Sequence, residues 1–236
     1  MAHAQQLEFV RTLKTAFPSY FTSSRTLEIG SLDITGTIRG FFDGGTYVGL
    51  DVAPGRGVDI VCQGQDYSVP DGSFDTVISC EAMEHNPHWK ETMDNMVRVC
   101  RPGGLVVMTC ATVGRREHGT TRTTPGDSPL SIGLGWEYYK NLTKRDFIQA
   151  LPLQSHLAPL AFLTNWVSND LYMAGFKRGS AGNAPPADAA QVLKTMNNDY
   201  RRINLRHASR SHYVLKRLLI SLLGEEQYWK RPIRPW

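Results

Sequence analysis

The chain has 236 residues, 41% hydrophobic and 20% charged, with a net charge of +4 at neutral pH, enough chain to bury a core without staples. Its four cysteines, Cys62, Cys80, Cys100 and Cys110, fall in or beside apolar segments with no C-x-x-C pair; they read as small core residues in a reducing compartment, which excludes a disulfide frame or zinc site. No run nears the ~20 apolar residues of a bilayer span and Met1 to Pro18 holds no leader-like apolar stretch, so a cytoplasmic location without membrane insertion is expected.

Residues 1–24 are assigned to an N-terminal helix. The first strand, near 26–30, runs through Leu27-Glu28-Ile29 into the turn Gly30-Ser31-Leu32-Asp33-Ile34-Thr35-Gly36, after which a helix is expected. Glycines there let the backbone approach a ligand, and a helix N-terminus offers free N–H groups. The second strand, near 46–51, ends in Asp51, 21 residues after Gly30. That spacing is the one at which dinucleotide folds hold a ribose diol. The middle glycine of G-x-G-x-x-G is missing, however, and Glu28 on the strand disfavours a pyrophosphate and favours a ligand with an ammonium or sulfonium.

A third strand falls near 58–62 and a fourth near 75–80, entered from Asp71-Gly72-Ser73-Phe74-Asp75. Asn86-Pro87 marks a helix start, with Asn86 as cap and Pro87 at the first helical position. Trp89, Met93, Met96, Val97 and Cys100 recur at helical spacing, and Arg101-Pro102-Gly103-Gly104 leads into a fifth strand near 104–110. A long stretch, 112–142, follows; one of this length is expected to be functional or disordered. Thr143 is placed to cap a short helix. Runs near 158–166 and 170–177, linked by Ser168-Asn169, form a hairpin.

From Ser180 the chain turns Gly/Pro/Ala-rich and leads into two helices, about 187–206 and 212–223, broken at His207-Ala208-Ser209-Arg210-Ser211. Residues 187–236 hold ten Lys/Arg and four Asp/Glu. This basic tail is either a solvated helix face or a surface for an acidic partner. The second helix is apolar through Tyr213, Val214, Leu215, Leu218, Leu219, Ile220, Leu222 and Leu223. It needs cover, from the monomer core or from a second copy in a homodimer.

Residues 25–111 resemble the class I S-adenosylmethionine-dependent methyltransferases, in the branch with D-G-S-F-D before the fourth strand and R-P-G-G before the fifth. The resemblance implies an α/β, Rossmann-like fold: a seven-stranded, mostly parallel sheet whose last strand is antiparallel, with helices on both faces and a C-terminal helical extension. The catalytic domain would span 25–180, the lid 112–142 and the extension 181–236. It implies S-adenosylmethionine bound by Glu28, Gly30, Ser31, Gly36, Asp51, Val52, Ser79 and Cys80. Gln63, with Gly64, Gln65 and Asp66 beside it, stands where the family often has an adenine-binding Asp.

In open α/β sheets the ligand crevice lies beyond the carboxyl ends of the strands. The lid begins there and carries Arg115, Arg122, Trp136, Tyr138 and Tyr139 for an acceptor, the aromatics suited to stacking on a sugar face. A hydroxyl acceptor calls for a base, and histidine suits working pH; His85 and His118, with Glu81, are the catalytic candidates. Glu81, Glu84 and His85 also offer ligands for Mg2+, which some sugar methyltransferases use. Ser79-Cys80-Glu81-Ala82 replaces the Asn-Pro-Pro-aromatic stretch of base amino-methyltransferases, so no nucleic acid is expected as acceptor. The Glu84 to Trp89 stretch and the lid around Gly114 to Arg122 look like bacterial glycan-assembly methyltransferases, which implies O-methylation of a sugar or polysaccharide hydroxyl. A phenol, a polyketide, a non-catalytic partner role through the basic helical tail, or RNA methylation are the other readings.

Overall fold

The computed structural model describes residues 3–180, 182–208 and 211–230. Seven strands form one sheet in the order β3-β2-β1-β4-β5-β7-β6. They are β1 (Arg25–Ile29), β2 (Thr46–Asp51), β3 (Ile60–Val61), β4 (Phe74–Cys80), β5 (Cys100–Ala111), β6 (Leu157–Asn165) and β7 (Asp170–Lys177). β1 to β5 pair in parallel, and β7 is antiparallel to both β5 and β6. This is the Rossmann-like sheet that the resemblance implied, with its last strand antiparallel. Near-continuous apolar runs such as Leu105-Val106-Val107-Met108 make its centre, because both faces are covered.

One face packs on α2 (Trp89–Val99), α4 (Lys144–Ala150) and α5 (Leu153–His156), through Trp89, Met93, Met96 and Phe147. The other lies under α1 (Ala4–Ala16) and α6 (Ala189–Ala208), through Phe9, Leu13, Leu193 and Met196. Phe9 stacks on Tyr172 at 4.6 Å between centroids. Between these helices sits α3 (Pro129–Gly133), within the long stretch after β5. Thr143 caps α4 as expected, in a reciprocal box with Asp146.

The structure corrects several expectations. No α-helix joins β1 to β2; the link holds only a 3-10 turn, Arg39–Phe41. Four glycines (Gly36, Gly40, Gly44, Gly45) and β-branched Ile34, Thr35, Thr37 and Ile38 oppose a helix there. Asp33 instead makes a turn, its carboxylate accepting the Gly36 N–H at 2.9 Å. No α-helix separates β2, β3 and β4 either, so α2 is the one α-helix among these five parallel strands. Asn86 lies two residues earlier than a cap of α2 would, and accepts the His88 N–H at 2.8 Å while donating to Thr92.

The C-terminal extension divides into α6, α7 (Ser211–Leu223) and α8 (Glu225–Lys230). α6 is part of the body: Asn204 donates to the Thr164 carbonyl at 2.6 Å and accepts from the Trp166 N–H. Leu215, Leu218 and Leu222 of α7 are exposed, while Ile220 is buried. The expected break at 207–211 includes Ser209 and Arg210, which lie outside the described residues, as do Met1, Ala2, Ala181 and 231–236. No described helix is long and apolar enough to cross a membrane.

Candidate functional site

The carboxyl ends of β1, β2 and β4 come into line because Ile29 pairs with both Leu50 and Ser79. Immediately beyond lie Gly30, Asp51 and Glu81, which line one small cavity of about 60 Å³ with Leu32, Ala82 and His85. Gly30 is required there. Its φ is +83°, and a Cβ on it would stand 2.4 Å from the Ala82 Cβ, so the turns after β1 and β4 touch. Asp51 accepts the N–H groups of Leu32 (2.9 Å) and Val52 (2.8 Å), which holds the first turn against the second strand. Burial pushes its pKa up, and a carboxylate keeps lone pairs for a diol beyond these two bonds. The hydroxyls of Ser31 and Ser79 are buried without a hydrogen-bond partner.

Not every expected cofactor residue reaches the cavity. Glu28 lies behind its wall: the Tyr47 hydroxyl donates to it at 2.7 Å, and burial raises its pKa to about 7. Gln63, Gly64, Gln65 and Asp66 form the turn after β3 and are tied to α2, Gln65 by Thr92 and the Gly64 carbonyl by Asn95. Ser31, Gly36, Val52, Ser79 and Cys80 also stand outside the lining.

Glu81 has φ +53°, a left-handed conformation, and its side chain lies beside His3. Its carboxylate is 3.7 Å from His3 Nε2, which is 3.1 Å from Asp170; Arg115 stands 3.5 Å from Asp170. Burial opposes charge on His3, but the bonds to Asp170 and Glu81 outweigh it and hold its pKa up at about 10. Burial likewise opposes charge on Glu81, and His3 outweighs it, so Glu81 stays ionised. His3 and Asp170 were not foreseen; residues 3, 81 and 170 meet only through the fold.

On the other side of Glu81 three rings pack together. His85 and His118 are 4.9 Å apart between centroids, and Tyr139 lies 5.5 Å from His85 and 5.0 Å from His118. His85 is 4% exposed, and burial, then the His118 charge, lowers its pKa to about 3. His118 is half-buried and its pKa is lowered by burial. Glu84, fully buried, accepts the Ala111 N–H through Oε1 at 3.1 Å. The expected Glu81, Glu84, His85 grouping is therefore split: Glu81 joins His3 and Asp170, while Glu84 and His85 gather with His118.

The lid is ordered into α3 and short turns. Ser128 to Ser131 line the small cavity opposite Gly30 and Asp51 and close it. At the lid's root lies a larger cavity of about 480 Å³, lined by Arg115, Arg116, Glu117, Tyr139, Asn141 and Trp229. The His85–His118–Tyr139 cluster stands between the two, since His85 lines the first and Tyr139 the second. Glu225 of α8 clamps this region, accepting from the Gly114 N–H at 2.6 Å and Asn141 at 3.0 Å. Other expected acceptor residues are occupied elsewhere. Arg122 pairs with Glu117 and Glu137, Trp136 packs on His88, and Tyr138 packs against the core under α2.

Residues 39–108 match a family described as a methyltransferase domain. No curated protein matches. Among solved structures, a phosphoethanolamine N-methyltransferase 2 from Haemonchus contortus, in complex with S-adenosyl-L-methionine, superposes with a TM-score of 0.53 at 15% identity, over 73% of this chain and 52% of that one. The YcgJ protein of Bacillus subtilis superposes with a TM-score of 0.50 at 11% identity, over 75% of this chain and 100% of that one. The chain spans about half the length of the Haemonchus protein, and at these identities the likeness is one of fold.

Proposed function

We propose that this chain is a class I S-adenosylmethionine-dependent methyltransferase and that it transfers the methyl group to a hydroxyl of a sugar or glycan. The observation that carries this is the ring cluster between a small crevice at the strand ends and the larger polar cavity under the lid. Bound S-adenosylmethionine supplies an electrophilic methyl on a sulfonium. The bare backbone at Gly30 lets its amino-acid end approach, and Asp51 accepts from the ribose diol. Glu81 also lines the crevice, its carboxylate held ionised by His3. Gly30, Asp51 and Glu81, side by side in the lining of the crevice, are the groups that fit the cofactor.

The acceptor occupies the larger cavity. Its guanidinium, carboxylate and amide groups of both polarities around the Tyr139 and Trp229 rings suit a polyhydroxylated ring better than a phenol. His85, His118 and Tyr139 border the place where the reacting hydroxyl is received.

The test is release of S-adenosylhomocysteine when purified protein is offered sugars and oligosaccharides. Asp51→Ala is expected to weaken cofactor binding at least about tenfold, the loss of charge-assisted bonds. Tyr139→Ala is expected to lower turnover with cofactor affinity kept. Turnover of phenols with sugars inert would move the acceptor to the phenolic reading. No uptake of S-adenosylmethionine by folded protein would leave a partner role instead.

A further inference from the structure

We propose that Glu84, His85 and His118 hold a divalent first-row transition-metal ion at the acceptor end of the site. Each offers one ligand atom, and these atoms all lie within 4.8 Å of one another, a separation that a small inward shift brings to the span of ligands around one ion.

Two of the three side chains have unused donors. Glu84 Oε2 and His85 Nδ1 are buried without a hydrogen-bond partner, on side chains that are 0% and 4% exposed. Such atoms are costly to bury unless something binds them. The remaining atoms of the trio are already held, as the supporting groups of a metal site should be. Glu84 Oε1 takes the Ala111 N–H, and His118 Nδ1 lies 3.1 Å from the Arg116 carbonyl, which orients the ring and leaves its other nitrogen free. Gly119 lies flat on His85: a Cβ there would stand 2.6 Å from the imidazole Cε1.

The donor set selects the ion. Two imidazoles and one carboxylate suit zinc and its first-row neighbours, whereas magnesium prefers carboxylates and water. Three protein ligands leave a position for an exogenous oxygen, and half-buried His118 lines a second cavity that shares Arg115, Arg116, Glu117 and Thr123 with the proposed acceptor cavity. This consequence rests on the proposed transfer to a hydroxyl. An acceptor oxygen bound at the open position loses its proton to bulk water more readily. It then forms the O–CH3 bond while the S–CH3 electron pair leaves with the sulfur as a neutral thioether.

The test needs no acceptor. Untagged full-length protein, stripped with chelator and dialysed, is titrated calorimetrically with Zn2+, Co2+ and Mg2+, and the Co2+ form is followed by its visible absorption. One Zn2+ per chain is expected, at least a hundredfold tighter than Mg2+, with Co2+ bands of nitrogen-containing low coordination. His118→Ala, on a half-buried lid side chain, and Glu84→Gln should each weaken Zn2+ at least tenfold, and His3→Ala should leave it unchanged. Absence of stoichiometric Zn2+ and Co2+ binding to folded protein overturns the proposal. So does equal binding by wild type, His118→Ala and Glu84→Gln. Metal binding without sugar turnover would instead retire the acceptor reading alone.

Discussion

Glu28 shows how one side chain makes stability depend on pH. Along β1, Leu27 and Ile29 face the core under α2, and alternation turns Glu28 to the opposite face, beside Tyr47. Burial raises its pKa from 4.5 to about 7, the Tyr47 hydrogen bond working against the rise. Folded protein therefore binds more protons than unfolded protein between these values. The stabilisation is complete below pH 4.5 and is lost as pH rises through about 7, an effect of about 3 kcal/mol. Glu28→Gln cannot ionise. Denaturant unfolding at pH 5 and pH 8 should show wild type losing that much more stability than the variant over the interval. Equal losses would mean that Glu28 titrates near its unfolded value.

The lid shows what an element owes to distant partners. Residues 112–142 hold little regular structure, yet both ends are fastened by Glu225, at Gly114 and at Asn141. Two charge-assisted bonds are worth about 1.5–3 kcal/mol each where water is excluded. Glu225→Ala is expected to speed amide exchange around 113–118 and 139–142 and to raise the acceptor KM several-fold with cofactor affinity kept; unchanged exchange would remove α8 from the lid. Nothing at Glu225 in the sequence announces this contact, which spans 111 residues. Strands buried on both faces were legible as apolar runs, antiparallel β7 among them, and the half-buried β2 also matches its expected range. The Thr143 cap was legible because its signal is local. The link from β1 to β2 was not, because a glycine turn after a strand announces a close backbone approach whether or not a helix follows. Gly30, Asp51, Glu81, His85 and His118 were singled out from the sequence. His3 and Asp170 were not, since charge compensation across residues 3, 81 and 170 exists only after α1 has docked on the sheet.

At the scale of the whole molecule, the described state is closed. The cavity at the strand ends is about 60 Å³, whereas ligand sites for molecules of cofactor size run to about 300 Å³ or more. One wall of it is Asp127 to Ser131, carried on the lid rather than on the sheet. The sheet ends are fixed by the β1–β2–β4 register and by two packed cores, so the lid is the part that yields. On the proposed placement of the cofactor, entry of an adenosyl ligand requires α3 to leave Gly30 and Asp51. Binding then divides into an opening step and a capture step, and affinity is reduced by the fraction of molecules that are open. Two measurements follow. In rapid mixing with S-adenosylhomocysteine, the observed rate should level off at high ligand, at the opening rate, rather than climb linearly. In hydrogen exchange, the bound protein should gain protection over 30–36 and lose it over 128–134, because the same ligand orders the first turn and displaces α3. A linear rate with unchanged exchange over 128–134 would place the ligand outside this crevice, and the assignment of Gly30 and Asp51 to the cofactor would fall with it.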